Sequence, residues 1–115
     1  MPAAQYDITI EQGATWTLSL TWKDSAGSPI PLTGYTARMQ ARSAYAAADT
    51  MLDLTSGSGI TLGPAAGAVA LVASAAQTSA ITAKKGVYDL EMIAPDGTVT
   101  RLLQGAVTVS PEVTR

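Results

Sequence analysis

At 115 residues the chain is the length of one domain, and a hydrophobic content of 47% is enough for a core, which excludes wholesale disorder. The net charge is −2 and the seven basic residues are scattered, with only Lys84 and Lys85 adjacent, so there is no basic stripe to neutralise nucleic-acid phosphates. The absence of Cys and His removes disulfides, thiol nucleophiles, imidazole acid–base chemistry and thiolate or imidazole metal ligands.

Met1 to Gln5 lack the basic-then-apolar pattern of a secretory leader and read as an N-terminal arm, residues 1–5. Tyr6, Ile8 and Ile10 then alternate with Asp7, Thr9 and Glu11, and Gln12-Gly13 interrupts the run as a turn or bulge. From Thr15 to Trp22 the alternation is strict: Trp16, Leu18, Leu20 and Trp22 point one way and four hydroxyl residues the other, as in a half-buried antiparallel strand. Lys23 to Pro29 is a loop by composition. Pro29 and Pro31 flank Ile30, which confines that piece to a sheet edge. After Leu32-Thr33-Gly34, Tyr35, Ala37, Met39 and Ala41 share one face of the next strand and Thr36, Arg38, Gln40 and Arg42 the other.

Ser43 to Asp49 reads as a loop or one helical turn, and Met51 to Leu54 as a short strand ended by Ser56-Gly57-Ser58-Gly59. Ile60 to Leu62 and Ala68 to Val72 form two strands joined by a turn at Gly63 to Gly67. Ser74 to Ala83 is the one helix candidate, with Ser74 as N-cap and Gly86 as its stop. Val87 to Ile93 places Tyr88, Leu90 and Met92 opposite Asp89 and Glu91. Pro95-Asp96-Gly97 turns the chain into an antiparallel partner from Thr98 onward, with a bulge at Gly105 and an end at Pro111. The result is an all-β domain over residues 6–110: a sandwich of seven to nine short strands, one short helical connector and a polar tail, residues 111–115.

The inventory of reactive groups is small, and no catalytic, cofactor-binding or metal-ligating residue is assigned. Asp89 and Glu91 sit two apart on a polar strand face and read as solvent-facing charge. Asp49 and Asp53 fall far short of the oxygen-ligand density of a calcium loop. Ser56 to Gly59 has no Gly-Lys-Ser/Thr after it and is a flexible turn, not a phosphate loop. Trp16 and Trp22 run in phase with Leu18 and Leu20, which places them in the core rather than on a sugar-stacking surface. Arg38, Gln40 and Arg42 share one polar face, suited to a partner's carboxylates and equally to solvent. Charged residues are only 14% of the chain, against roughly 25% in soluble proteins generally, which leaves a neutral Thr/Ser/Ala surface. No apolar run approaches the ~20 residues of a membrane span.

Four stretches carry a family resemblance. They are Ile10-Glu11-Gln12-Gly13-Ala14-Thr15-Trp16-Thr17-Leu18-Ser19-Leu20-Thr21-Trp22, Pro31-Leu32-Thr33-Gly34-Tyr35 running on to Arg42, Gly86-Val87-Tyr88-Asp89-Leu90-Glu91, and Asp96-Gly97-Thr98 running on to Gly105. The series resembles small tailed-bacteriophage virion proteins, in plan the N-terminal domain of baseplate upper proteins. The resemblance implies an immunoglobulin-like fold and a docking role in a phage tail, baseplate or fibre attachment, with other virion proteins as partners and several symmetric copies or a homo-oligomer. It supplies no catalytic residues. Baseplate upper proteins continue into a longer fibre-forming region, so a chain stopping at Arg115 is expected to be a free-standing adaptor or decoration subunit. Contact residues are expected at Arg38, Gln40 and Arg42, at the Ile30 edge and in the N-terminal arm at Gln5. A capsid decoration or head-fibre base and a carbohydrate-binding host-recognition module are the alternative expectations.

Overall fold

The computed structural model describes residues 4–63 and 66–113. The first three residues of the arm, two positions of the turn at 64–65 and the last two of the tail lie outside them. The described residues form an all-β domain with one short helix. Its strands are β1 (Ala4–Gln5), β2 (Ile8–Glu11), β3 (Trp16–Thr21), β4 (Thr36–Arg42), β5 (Leu52–Ser56), β6 (Gly59–Gly63), β7 (Ala68–Ala73), β8 (Lys85–Ile93) and β9 (Val99–Ser110), with helix α1 (Ala75–Ser79) between β7 and β8.

All of them join one hydrogen-bonded sheet in the order β1-β9-β8-β4-β5-β6-β7-β3, with β2 beside the far half of β9. The sheet is not purely antiparallel. β1 and β2 run parallel to β9, and β5 meets β6 in parallel over two residue pairs, Thr55 with Gly59 and Ser56 with Ile60. The buried residues of the β2-β9-β8-β4-β5 limb and the β6-β7-β3 limb belong to one cluster, so the sheet curls and its limbs face each other across a single core.

Period-two alternation places the core. Ala37, Met39 and Ala41 of β4, Tyr88, Leu90 and Met92 of β8, and Ile8 and Ile10 of β2 are buried, while their sequence neighbours face outward. Leu32 and Ile81 reach the core from loops. Leu32-Thr33-Gly34-Tyr35 forms a tight turn, with the Tyr35 N–H donating to the Leu32 carbonyl at 2.9 Å, and Gly34 supplies its φ of +80°. Trp16 and Trp22 are half-buried and pack against the core from its margin rather than inside it. The Trp22 and Tyr35 rings meet edge to face, with centroids 5.8 Å apart.

Three elements differ from the sequence expectation. The helix begins at its expected cap, where the Ser74 hydroxyl accepts from the Gln77 N–H and the Gln77 side chain accepts from the Ser74 N–H. It ends at Ser79 instead of running on, because burial of Ile81 draws the chain out of the helix and towards β8. Gly86 lies inside β8, where an added Cβ would strike the Arg42 carbonyl. β9 continues through Gly105, and the register shift falls at Leu102: Leu90 pairs with Leu103 and Glu91 with Arg101. Gly105 instead lets the Tyr6 carbonyl come close.

That carbonyl accepts a hydrogen bond from the Tyr88 hydroxyl, tying β8 to the link between β1 and β2. Burial raises the Tyr88 pKa to about 12, with smaller contributions from Tyr6 and Asp7. A raised folded-state pKa favours the protonated folded form. This contribution is therefore complete below about pH 10 and is lost as pH rises towards 12. Tyr88→Phe should cost about 1 kcal/mol at neutral pH and show a shallower alkaline loss of stability than wild type, read by urea unfolding from pH 8 to 12. Leu90→Ala, at a fully buried site in the centre of the sheet, should cost about 2–5 kcal/mol in the same assay.

Candidate docking site

The outer face of β5-β4-β8-β9 is built by strand register. Paired residues on neighbouring strands share a face, so each row across the sheet gathers residues far apart in sequence. One row runs Thr55, Arg38, Glu91, Arg101. The next runs Asp53, Gln40, Asp89, Gln104 and then Gln5 of β1. Arg42 stands one step further along β4, paired with Val87. The three arginines among the described residues all belong to this face, together with Asp53, Asp89 and Glu91, so its formal charge balances.

The side chains are already cross-linked. Arg38 Nε donates to Glu91 Oε1 at 2.7 Å. Arg101 donates to Gln104 Oε1 at 3.1 Å and lies 3.5 Å from Asp89 Oδ2. These pairs are half open to solvent and contribute at most about 1 kcal/mol each to stability. Arg42 donates to the carbonyls of Ala47 and Ala48 at 2.9 and 2.8 Å and to Gln40 Oε1 at 3.0 Å. Its main role is therefore to hold the loop after β4. That loop carries Tyr45 out into solvent at 88% exposure. Arg42, Tyr45, Asp89, Arg101 and Gln104 line a shallow open groove of about 150 Å³.

Asp89 is the strained member of the set. Burial raises its pKa, the Glu91 carboxylate adds to the rise, and Arg101, Arg38 and Arg42 only partly oppose it. Asp89 and Glu91 are thus half-buried and ion-paired rather than simply solvent-facing. Among the described residues no three acidic side chains gather to hold a metal ion. Asp53 lies near Gln40 Nε2, at 3.5 Å, while Asp49 lines a separate groove.

Of the five contact residues expected from sequence, Arg38, Gln40, Arg42 and Gln5 meet on this face. Gln5 is paired into the sheet within β1, and its side chain also donates to Asp7 Oδ1 at 3.1 Å. Ile30 lies elsewhere and is half-buried; its N–H donates to the Trp22 carbonyl at 2.9 Å, so that donor is not free to receive a strand. Tyr45, Arg101 and Gln104 were not singled out by sequence. The β9 pairing that brings Arg101 and Gln104 here has no local sequence signature, whereas an aromatic residue inside an Ala/Ser loop is a signal that could have marked Tyr45.

No protein-family model matches the chain, and no curated protein matches it. The raised Asp89 pKa means that its charge is held at a cost to the folded state, and the sign follows directly: the cost appears as pH rises through the carboxylate range. Asp89→Asn should leave the thermal midpoint unchanged or higher at pH 7, with the gain disappearing below about pH 4, measured by calorimetry across that range.

Proposed function

We propose that this chain is a bacteriophage structural protein, a tail, baseplate or fibre-attachment adaptor that works by docking to other virion proteins and not by catalysis. The observation that carries the reading is the β5-β4-β8-β9 face. It has charges of both signs held in fixed pairs, a shallow groove, and one exposed aromatic side chain, Tyr45, at the rim. Arg and Tyr are the residues that anchor protein interfaces. An open groove of this size suits a protein surface better than an enclosed small ligand. The resemblance of the strand-forming stretches to baseplate upper proteins supports the address in a virion. The strand order supports an immunoglobulin-like plan, with β2 parallel to β9 on one limb and β3-β7-β6 on the other.

A sugar-stacking role draws no support from the tryptophans, since both pack on the core and the Trp22 ring is engaged by Tyr35. A capsid decoration or head-fibre base would use the same face at another place on the particle, and image reconstruction of particles separates the two addresses.

Purified particles from cells expressing the phage genes should contain the chain in fixed stoichiometry by quantitative mass spectrometry. Tyr45→Ala and Arg38→Glu should each reduce incorporation about tenfold while the purified variants keep their cooperative unfolding, as expected for loss of one interface anchor. Particles that lack the chain overturn the reading.

A further inference from the structure

The curled sheet does not close. Among the described residues its last strand, β3, pairs only with β7, and no ladder joins β3 to β2 on the other margin. The two margins differ. On β2 the inward side chains Ile8 and Ile10 are 6% and 0% exposed, and Glu11 adds a charge. On β3 all three inward side chains, Trp16, Leu18 and Leu20, stay half-exposed, and Trp16 lines an open groove of about 260 Å³ facing Thr9 and Glu11. β3 itself, Trp-Thr-Leu-Ser-Leu-Thr, contains no charge, no proline and no bulge, which are the usual devices that keep an edge strand from pairing.

We infer that the free edge of β3 is a self-association site, where β3 of a second copy adds antiparallel about a two-fold axis to make a sheet continuous across both subunits. The sequence of the strand is self-complementary in the sense this requires. With the axis at Leu18, Trp16 falls opposite Leu20 of the other copy and Thr17 opposite Ser19. With the axis at Ser19, Leu18 falls opposite Leu20 and Thr17 opposite Thr21. In both registers apolar residues meet apolar ones on the inner face and hydroxyl residues meet on the outer face. No like charges oppose each other, the main penalty when identical strands pair. A strand of unrelated sequence would have to match this pattern, whereas a second copy supplies it by symmetry. Pairing would cover the half-exposed Trp16, Leu18 and Leu20 of both subunits and satisfy the outward backbone groups of the edge. The site is separate from the arginine-bearing face, so the two interfaces are compatible in one assembly.

Light scattering on the purified chain over a wide concentration range should give twice the 11.7 kDa chain mass. Ser19→Lys, on the exposed outer face of β3, puts two lysines opposite or diagonal to each other across the axis and should weaken the dimer at least about tenfold. Ala26→Lys, on the exposed loop after β3, adds the same charge away from the axis and should leave the mass unchanged. Far-ultraviolet circular dichroism checks that both variants fold. Because the chain has no native cysteine, Ser19→Cys provides an independent readout: oxidation should give a covalent dimer, and Ala26→Cys should not. A monomer at every concentration, or a dimer that Ser19→Lys leaves intact with no cross-link from Ser19→Cys, overturns the inference whether or not the chain is found in particles.

Discussion

The corner between β2 and β3 is the constraint on which the rest of the molecule depends. These strands are consecutive in the chain yet end on opposite margins of one sheet, so the few residues between them must carry the backbone across the core. Gly13 makes the turn at φ +86°, a left-handed conformation that favours glycine, and the carboxylate of Glu112 packs against it. Thr78 of α1, the one buried polar residue among those described, holds the corner. Its hydroxyl accepts from the Gly13 N–H at 3.1 Å and donates to the Ala14 carbonyl at 2.9 Å. Gln12 adds two bonds, donating to the Ile81 carbonyl and accepting from the Glu112 N–H. The short helix is thus more than a connector: it supplies the Thr78 hydroxyl, and the segment just after it supplies the Ile81 carbonyl, that together pin the crossing, and every one of these polar groups is satisfied, as burial requires.

Sequence and structure agree where local pattern decides and part where distant pairing decides. Alternation in Trp16–Trp22, Tyr35–Arg42 and Val87–Ile93 fixes which side chains face inward, because a strand with one buried face cannot slip by one residue without turning its core set outward. The turns at Leu32-Thr33-Gly34 and Pro95-Asp96-Gly97 follow from φ preferences of single residues. The parallel pairings of β1 and β2 with β9 join residues about a hundred positions apart and leave no local trace. For the same reason Arg38, Gln40 and Arg42 were legible as one face, while Gln104, Arg101 and the place of Gln5 in the same rows were not. Alternation put Trp16 and Trp22 on the inward face with Leu18 and Leu20, but could not show that both would sit at the margin of the core.

The two limbs present opposite chemistry to the outside. On the β5-β4-β8-β9 limb the outward positions carry arginine, aspartate, glutamate and glutamine, and their mutual pairing leaves little net field. On the β6-β7-β3 limb the outward positions include Thr17, Ser19, Thr21, Ala68, Ala70 and Thr61, with Val72 at 44% exposure and no ionisable group. A neutral small-residue surface costs little to desolvate and resists association only weakly, whereas a charged face would discriminate among partners by matching donors and acceptors. The few charges of these two limbs are therefore concentrated on one of them and absent from the strands of the other.

This division also bears on stability. The core has alanines at Ala37, Ala41 and Ala73 and no phenylalanine, while three large apolar side chains, Trp16, Leu18 and Leu20, stay only partly buried at the open margin. Burying more of these three side chains inside one chain would need a further strand on the β3 edge, and the described chain has none to place there. A covering strand from outside would complete the burial that the isolated domain leaves partial, at roughly 25 cal/mol for each Å² of apolar surface removed from water. The open edge therefore leaves apolar surface of Trp16, Leu18 and Leu20 in water, which the proposed pairing with a second copy would remove.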